Sequence, residues 1–289
     1  MTRFPALFAA LWVAAIAAIA ALSGAAFASR DDVTVELTDD LIARMAEADI
    51  VLLGEVHDNA DHHAIQARII AALEPSAVVW EMLTPETAAL FRSGWLDAPE
   101  DVQEVIDAAQ ANWPGFDIYR PVVKATSGMP VYGGQVSRAL SARVMEDGIG
   151  VVFGSEAAEY GLMIPLPEAE QAAREAEQLA AHCDALPASQ LPMMVDFQRL
   201  RDAVLARAAI EAFDAHGGPV VVITGNGHAR MDRGAPETLK RVRPGLRLFA
   251  LGQAEDGRIA GPFDAVLSSP AAEREDPCAV FRARGTDKG

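Results

Sequence analysis

Five short apolar runs, with helical stretches between most of them, restrict this chain to very few folds. The runs are Asp49–Leu53 (stopped by Gly54), Ala77–Glu81, Met129–Tyr132, Pro219–Thr224 and Leu246–Leu251. Runs that are apolar on both alternating faces predict strands buried on both sides, as in a parallel sheet covered by helices. Helical periodicity spans Asp61–Leu73, closed by Pro75, and begins again where Thr84 caps Pro85. That second stretch reaches Asn112, with breaks at Gly94 and Pro99. Further helices are expected over Arg138–Glu146, from Pro167 to about Cys183, and from Met194 to about His216. The fold class is therefore α/β, a mainly parallel sheet flanked by helices. The sheet core is expected at about 33–83, 121–159 and 217–268. The helical segments 84–120 and 160–216 exceed what simple crossovers need and predict a small inserted helical subdomain. After Phe263 the chain turns charged and rich in turn residues, which predicts a loose tail, assigned to residues 269–289 beyond a domain of 29–268.

Composition matters first at the N-terminus. Ala6–Leu22 is an unbroken apolar run preceded by Arg3 and followed by Ala26-Phe27-Ala28, the pattern of a secretory signal peptide cleaved after Ala28. The mature chain is then expected in the periplasm or outside the cell. An uncleaved anchor is the alternative, since the run is only at the short end of the roughly 17–25 residues that span a bilayer. The whole chain carries a net charge of -17, and removing residues 1–28, with the one charge of Arg3, makes it -18. Such acidity excludes a nucleic-acid surface, which needs clustered cations to neutralise phosphate. In an oxidising compartment the two cysteines, Cys183 and Cys278, are expected to form one disulfide.

The chemistry collects at the strand ends, where open α/β sheets bind ligands. Ile50-Val51-Leu52-Leu53-Gly54-Glu55-Val56-His57 is echoed by Val221-Val222-Ile223-Thr224-Gly225-Asn226-Gly227-His228, so two strands run into Gly-x-x-His. Glu81 ends a third run, and Gly133-Gly134-Gln135 follows another. Glu55, His57, Glu81 and His228 form a candidate acid–base set for a hydrolase, and His57, Glu81 and His228 are candidate ligands for a divalent metal. His62 and His63 lie at the start of a helix that Asn59 or Asp61 would cap. They are open to either a surface or a functional role.

These motifs are similar to those of a known family. Gly-Glu-Val-His-Asp-Asn-x-x-His-His-x-x-Gln at 54–66 and Trp-Glu-Met at 80–82 resemble the ChaN-like haem-binding uptake family of the Tiki superfamily. Trp113–Pro121, Gln198–Ala203 and Gly225–Pro236 extend the resemblance, which spans roughly 45–252. It implies an exported bacterial protein that binds haem for iron acquisition, with iron held by tyrosine and haem pairs enclosed by a homodimer. A membrane receptor or transporter would be a further partner. It also implies distant hydrolase relatives, some with metal, that use the same Gly-x-x-His and Glu positions. The chain departs by lacking a lipid-anchoring cysteine after the apolar run. It also departs in reading Gly133–Arg138 where the family pattern has an Asn and a Pro. Haem needs an iron ligand, an apolar slot and cations for its propionates. Tyr119 is the first candidate ligand because Arg120, Trp113 and Phe116 surround it in sequence; Tyr132 is the second, with His62 and His63 as further cofactor contacts. Arg138, Arg201, Arg230 and Arg233 are candidate propionate partners.

Overall fold

The structure is a computed structural model in which residues 36–91, 96, 98–276 and 278–279 are described. In chain order the main elements are α1 (Asp39–Ala46), β1 (Ile50–Glu55), α2 (Ala60–Leu73), β2 (Ala77–Trp80), α3 (Pro85–Ala88), α4 (Pro99–Gln110), a 3-10 turn (Phe116–Tyr119) and α5 (Arg120–Ala125). There follow β3 (Val131–Gly133), α6 (Arg138–Phe153), α7 (Glu168–Ala181), α8 (Leu191–His216), β4 (Val220–Gly225), α9 (Asn226–Ala229), α10 (Ala235–Val242), β5 (Leu248–Glu255) and β6 (Ala265–Ser269). The strands form one sheet in the order β3-β2-β4-β1-β5-β6, and every pairing is parallel.

Alternation along each strand sorts the core into two layers. Val51, Leu53, Val78, Trp80, Val221 and Ile223 face one way and share a core with Ile69 and Ile70 of α2, Ile106 of α4 and Val122 of α5. Ile50, Leu52, Ala77, Val79, Val220 and Val222 face the other way, onto Leu205 and Ala209 of α8 and Leu239 of α10. Ala203, Ala206, Ala209 and Ala212 put small side chains on the buried side of α8, which lets this long helix lie close to the strands. Of the segments expected as a helical subdomain, α4 and the 3-10 turn join the first layer, while α7 packs against α8. Gly217, at φ 76°, ends α8 in a backbone region that favours glycine.

The loose tail expected after Phe263 begins later than the sequence implies. Ala265–Ser269 is the edge strand β6, paired with β5, and Ala265, Val266 and Leu267 are buried. Three apolar residues between polar flanks are too short a pattern to declare a strand; pairing along β5 supplies the rest. Helix α6 also runs past the expected Glu146 to Phe153, with a break in helical geometry at Gly148. The expected disulfide is formed between Cys183, just past α7, and Cys278. Among the described residues no helix is long and apolar enough to cross a membrane. Residues Ala6–Leu22 and the expected cleavage site lie outside the described residues.

Candidate functional site

The carboxyl ends of β1, β2 and β4 lie side by side, because β4 inserts between the other two. Each strand delivers an ionisable group there: Glu55 closes β1, Glu81 follows β2, and the turn after β4 carries His228 in α9. Asn59 caps α2, its Oδ1 accepting from the backbone N–H groups of Asp61 and His62, and so sets the turn that presents His57.

Glu55 is buried and fully engaged. Its Oε1 accepts from the Tyr119 hydroxyl at 2.5 Å and lies 2.8 Å from His57 Nδ1. Its Oε2 accepts from Gln66 Nε2 at 2.8 Å and lies 3.3 Å from His63 Nε2. Burial alone would raise this carboxyl, but the His57 and His63 imidazoles hold it well below the usual carboxylate range. His57 is the reciprocal case: burial opposes its charge, yet Glu81 and Glu55 raise it to about 9.

A second dyad meets the first. Asp202 of α8 lies 2.6 Å from His228 Nδ1, and the His228 Nε2 faces Glu81 Oε1 at 3.6 Å. His57 Nε2 faces the other oxygen, Glu81 Oε2, at 3.8 Å. That oxygen also accepts from the Thr224 hydroxyl at 2.7 Å and the Gly225 N–H at 2.8 Å. Burial works against a charged His228, and Glu81 with Asp202 raises it nonetheless. The two Gly-x-x-His motifs thus build two carboxylate–imidazole dyads, Glu55–His57 and Asp202–His228, whose outer nitrogens converge on one buried carboxylate. Such an arrangement can hold, donate or accept protons at Glu81.

The sequence candidates separate clearly in space. Glu55, His57, Glu81 and His228 come together as a set. Among the described residues no group of three or more His, Cys, Asp or Glu side chains is arranged to hold a metal ion. His62 is fully buried, its Nδ1 accepting from the Val56 N–H at 2.9 Å, so it braces the turn after β1. His63 is also fully buried, with its ring 3.9 Å from that of Tyr119. Tyr119 is sealed in the core, and burial together with Glu55 pushes its phenol far up. Tyr132 lies apart from the dyads, its hydroxyl 3.0 Å from His216 Nε2 at the last turn of α8. Arg230 pairs with Asp232 and Glu177, and Arg233 with Glu177, whereas exposed Arg201 stands near enough to oppose the charges of His57 and His228. The Arg138 side chain lies outside the described part.

Asp202 is not among the residues that the strand-end motifs single out, although it lies in Gln198–Ala203, a segment of the family resemblance. Val195, Asp202 and Ala209 recur every seven residues, and all three are buried. A carboxylate on an otherwise apolar helix stripe needs a buried partner, and that was the available signal. The space left at the crevice is small: a cavity of about 50 Å³ bordered by Glu81, Trp113, Gln135 and Arg201.

A family model described as haem-binding uptake, Tiki superfamily, ChaN matches residues 41–239. No curated protein matches the chain. Among solved structures, one described as cofacial haem binding to ChaN of Campylobacter jejuni is 19% identical, with a TM-score of 0.56, covering 78% of this chain and 89% of that one. The type III effector HopBA1 is 15% identical with a TM-score of 0.48, covering 80% of this chain and 92% of its own. At 19% identity the likeness to the Campylobacter jejuni structure is one of fold.

Proposed function

The chain belongs to the haem-binding uptake family of the Tiki superfamily, the ChaN group, and from that premise we propose that it is an exported haem-binding protein that serves iron uptake or handling. The observation that carries this reading is the family match over residues 41–239, from α1 into α10. The leader-like segment before Ala28 supports export to the periplasm or beyond. A homodimer and a membrane receptor or transporter belong to the same reading.

Haem would not enter the dyad crevice as it stands, because about 50 Å³ is far below the roughly 300–1,000 Å³ of small-molecule sites. A better fit lies on α6 and the loop after it. There a groove of about 670 Å³ is lined by Val151, Met163, Ile164 and Arg199. Apolar side chains would cover the macrocycle, and Arg199, which also pairs with Asp196, borders the same groove as a cation for a propionate. Titrating hemin into the purified protein is expected to give a saturable, shifted Soret band. Uptake that never saturates would end the reading.

One observation favours a second reading, a hydrolase: two carboxylate–imidazole dyads converge on Glu81. His57, raised to about 9, stands as the acid at neutral pH, and Glu81 as the base. This predicts turnover of an activated ester or a peptide that His228→Ala abolishes. Equal background rates in both proteins would remove it.

A further inference from the structure

Glycine heads both Gly-x-x-His motifs, yet in neither does the backbone require it. Gly54 lies within β1 without a positive φ. Gly225 ends β4 at φ -60° and ψ 149°, a conformation open to any residue. What both positions lack is room for a side chain.

A Cβ on Gly225 would stand 2.8 Å from His57 Nε2 and 3.3 Å from its Cε1, and the first separation is one that Cβ atoms essentially never adopt. The imidazole is not free to swing aside. Its Nδ1 lies 2.8 Å from Glu55 Oε1 and 3.2 Å from the Tyr119 hydroxyl, and its ring meets Trp113 edge-on at 5.0 Å. The glycine here belongs to the second motif, and the ring seated on it to the first.

The reverse contact also exists. A Cβ on Gly54 would overlap Asn226 Oδ1 and stand 3.0 Å from the Leu251 carbonyl oxygen. Asn226 is held in place as well: its Oδ1 accepts from the Gln253 N–H at 3.0 Å, and its Nδ2 donates to the Gln253 carbonyl at 2.8 Å. That doubly bonded amide ties the turn carrying His228 to β5. Now the glycine comes from the first motif and the side chain from the second.

Parallel pairing of β1 with β4 sets Gly54 opposite Thr224 and Glu55 opposite Gly225, which lays the two motifs side by side for this exchange. Gly225 also donates its N–H to Glu81 Oε2 at 2.8 Å, so His57 and Glu81, 3.8 Å apart, both lie against it. Gly227 is a natural control. It has no positive φ, and nothing lies within 4 Å of the place a Cβ would take.

We propose that Gly225 is the positioning residue for His57, and Gly54 that for the Asn226 turn, so that each Gly-x-x-His motif seats a side chain of the other. Alanine at 225 keeps the N–H to Glu81 but pushes the imidazole away from that carboxylate. Alanine at 54 forces Asn226 off Gln253 and shifts the turn that carries His228. The crevice is one interlocked device rather than two copies of a motif.

The test is a pair of double-mutant cycles on the full chain, read by urea unfolding and by the imidazole C–H signals of His57 in NMR spectra. Those signals are identified by their loss in His57→Ala. Gly225→Ala is expected to move them and to lower the urea midpoint by roughly 0.5–1 M, as overpacking a well-filled site does. In the His57→Ala background the same alanine should cost little. Gly54→Ala should be partly relieved by Asn226→Ala, the Leu251 carbonyl keeping the remainder. Gly227→Ala should leave both readouts at their wild-type values. Where Gly225→Ala does not fold, the double variant with His57→Ala decides: stability equal to His57→Ala alone supports the positioning, and lower stability overturns it. Unmoved His57 signals in a folded Gly225→Ala protein would overturn it too.

Discussion

Glu81→Ala is expected to lower folding stability by about 3–5 kcal/mol, the range seen when one partner of a buried charge pair is removed. Glu81 is almost fully buried, faces both His57 and His228, and accepts from the Thr224 hydroxyl and the Gly225 N–H. Alanine leaves two imidazoles without their shared counter-charge and two donors without an acceptor. Urea unfolding of the two proteins measures the difference, and a loss below about 1 kcal/mol would show that Glu81 is not the electrostatic centre of the cluster. The pH dependence has a definite sign. His57 has its folded value raised to about 9 from an ordinary 6.5. Its contribution is therefore complete below about 6.5 and fades as pH rises through about 9. The stability gap between wild type and variant should narrow over that alkaline window. Because the His57 side chain is 35% exposed, solvent screening keeps its own share to about 1–2 kcal/mol.

Loss of the disulfide should be comparably large. Cys183 and Cys278 are 95 residues apart in sequence, and the chain-entropy model assigns a loop of that size up to about 4–5 kcal/mol. Reduced protein, or the double variant Cys183→Ser/Cys278→Ser, should unfold at clearly lower urea concentration than the oxidised wild type. The end of the chain has other attachments: Arg274 pairs with Asp58 and Glu255, and Asn59 donates to the Pro270 carbonyl. If those contacts alone hold the segment, the oxidised and reduced transitions will coincide, and the cross-link contributes nothing.

Sequence patterns were informative where burial is two-sided. Val220–Ile223 and Ile50–Leu53 declare strands because every residue must be apolar, and the two Gly-x-x-His motifs declare the site because they follow such strands. What stayed hidden depends on tertiary pairing. β6 exists because β5 offers it an edge, and Asp202 acquires meaning only when α8 brings it to His228, 26 residues away. The tyrosines illustrate the same limit. Local neighbours favoured Tyr119, with Arg120 and Trp113 beside it, whereas its hydroxyl is used up by a carboxylate 64 residues earlier.

The position of β4 carries a consequence for how the chain comes together. β1 pairs with β4 and β5, and β2 pairs with β4 and β3, so the first two strands never touch along their length. Until residues 220–225 arrive, β1 has no neighbour and β2 has only the three-residue β3. The first three-quarters of the chain, up to residue 219 of 289, can therefore form helices but not the centre of its sheet, and loop closure over long separations must precede that pairing. A fragment ending before Val220 should remain without a cooperative unfolding transition. The two histidine motifs are thus assembled in the same late event that completes the core, so a chain that displays the paired dyads has already finished folding.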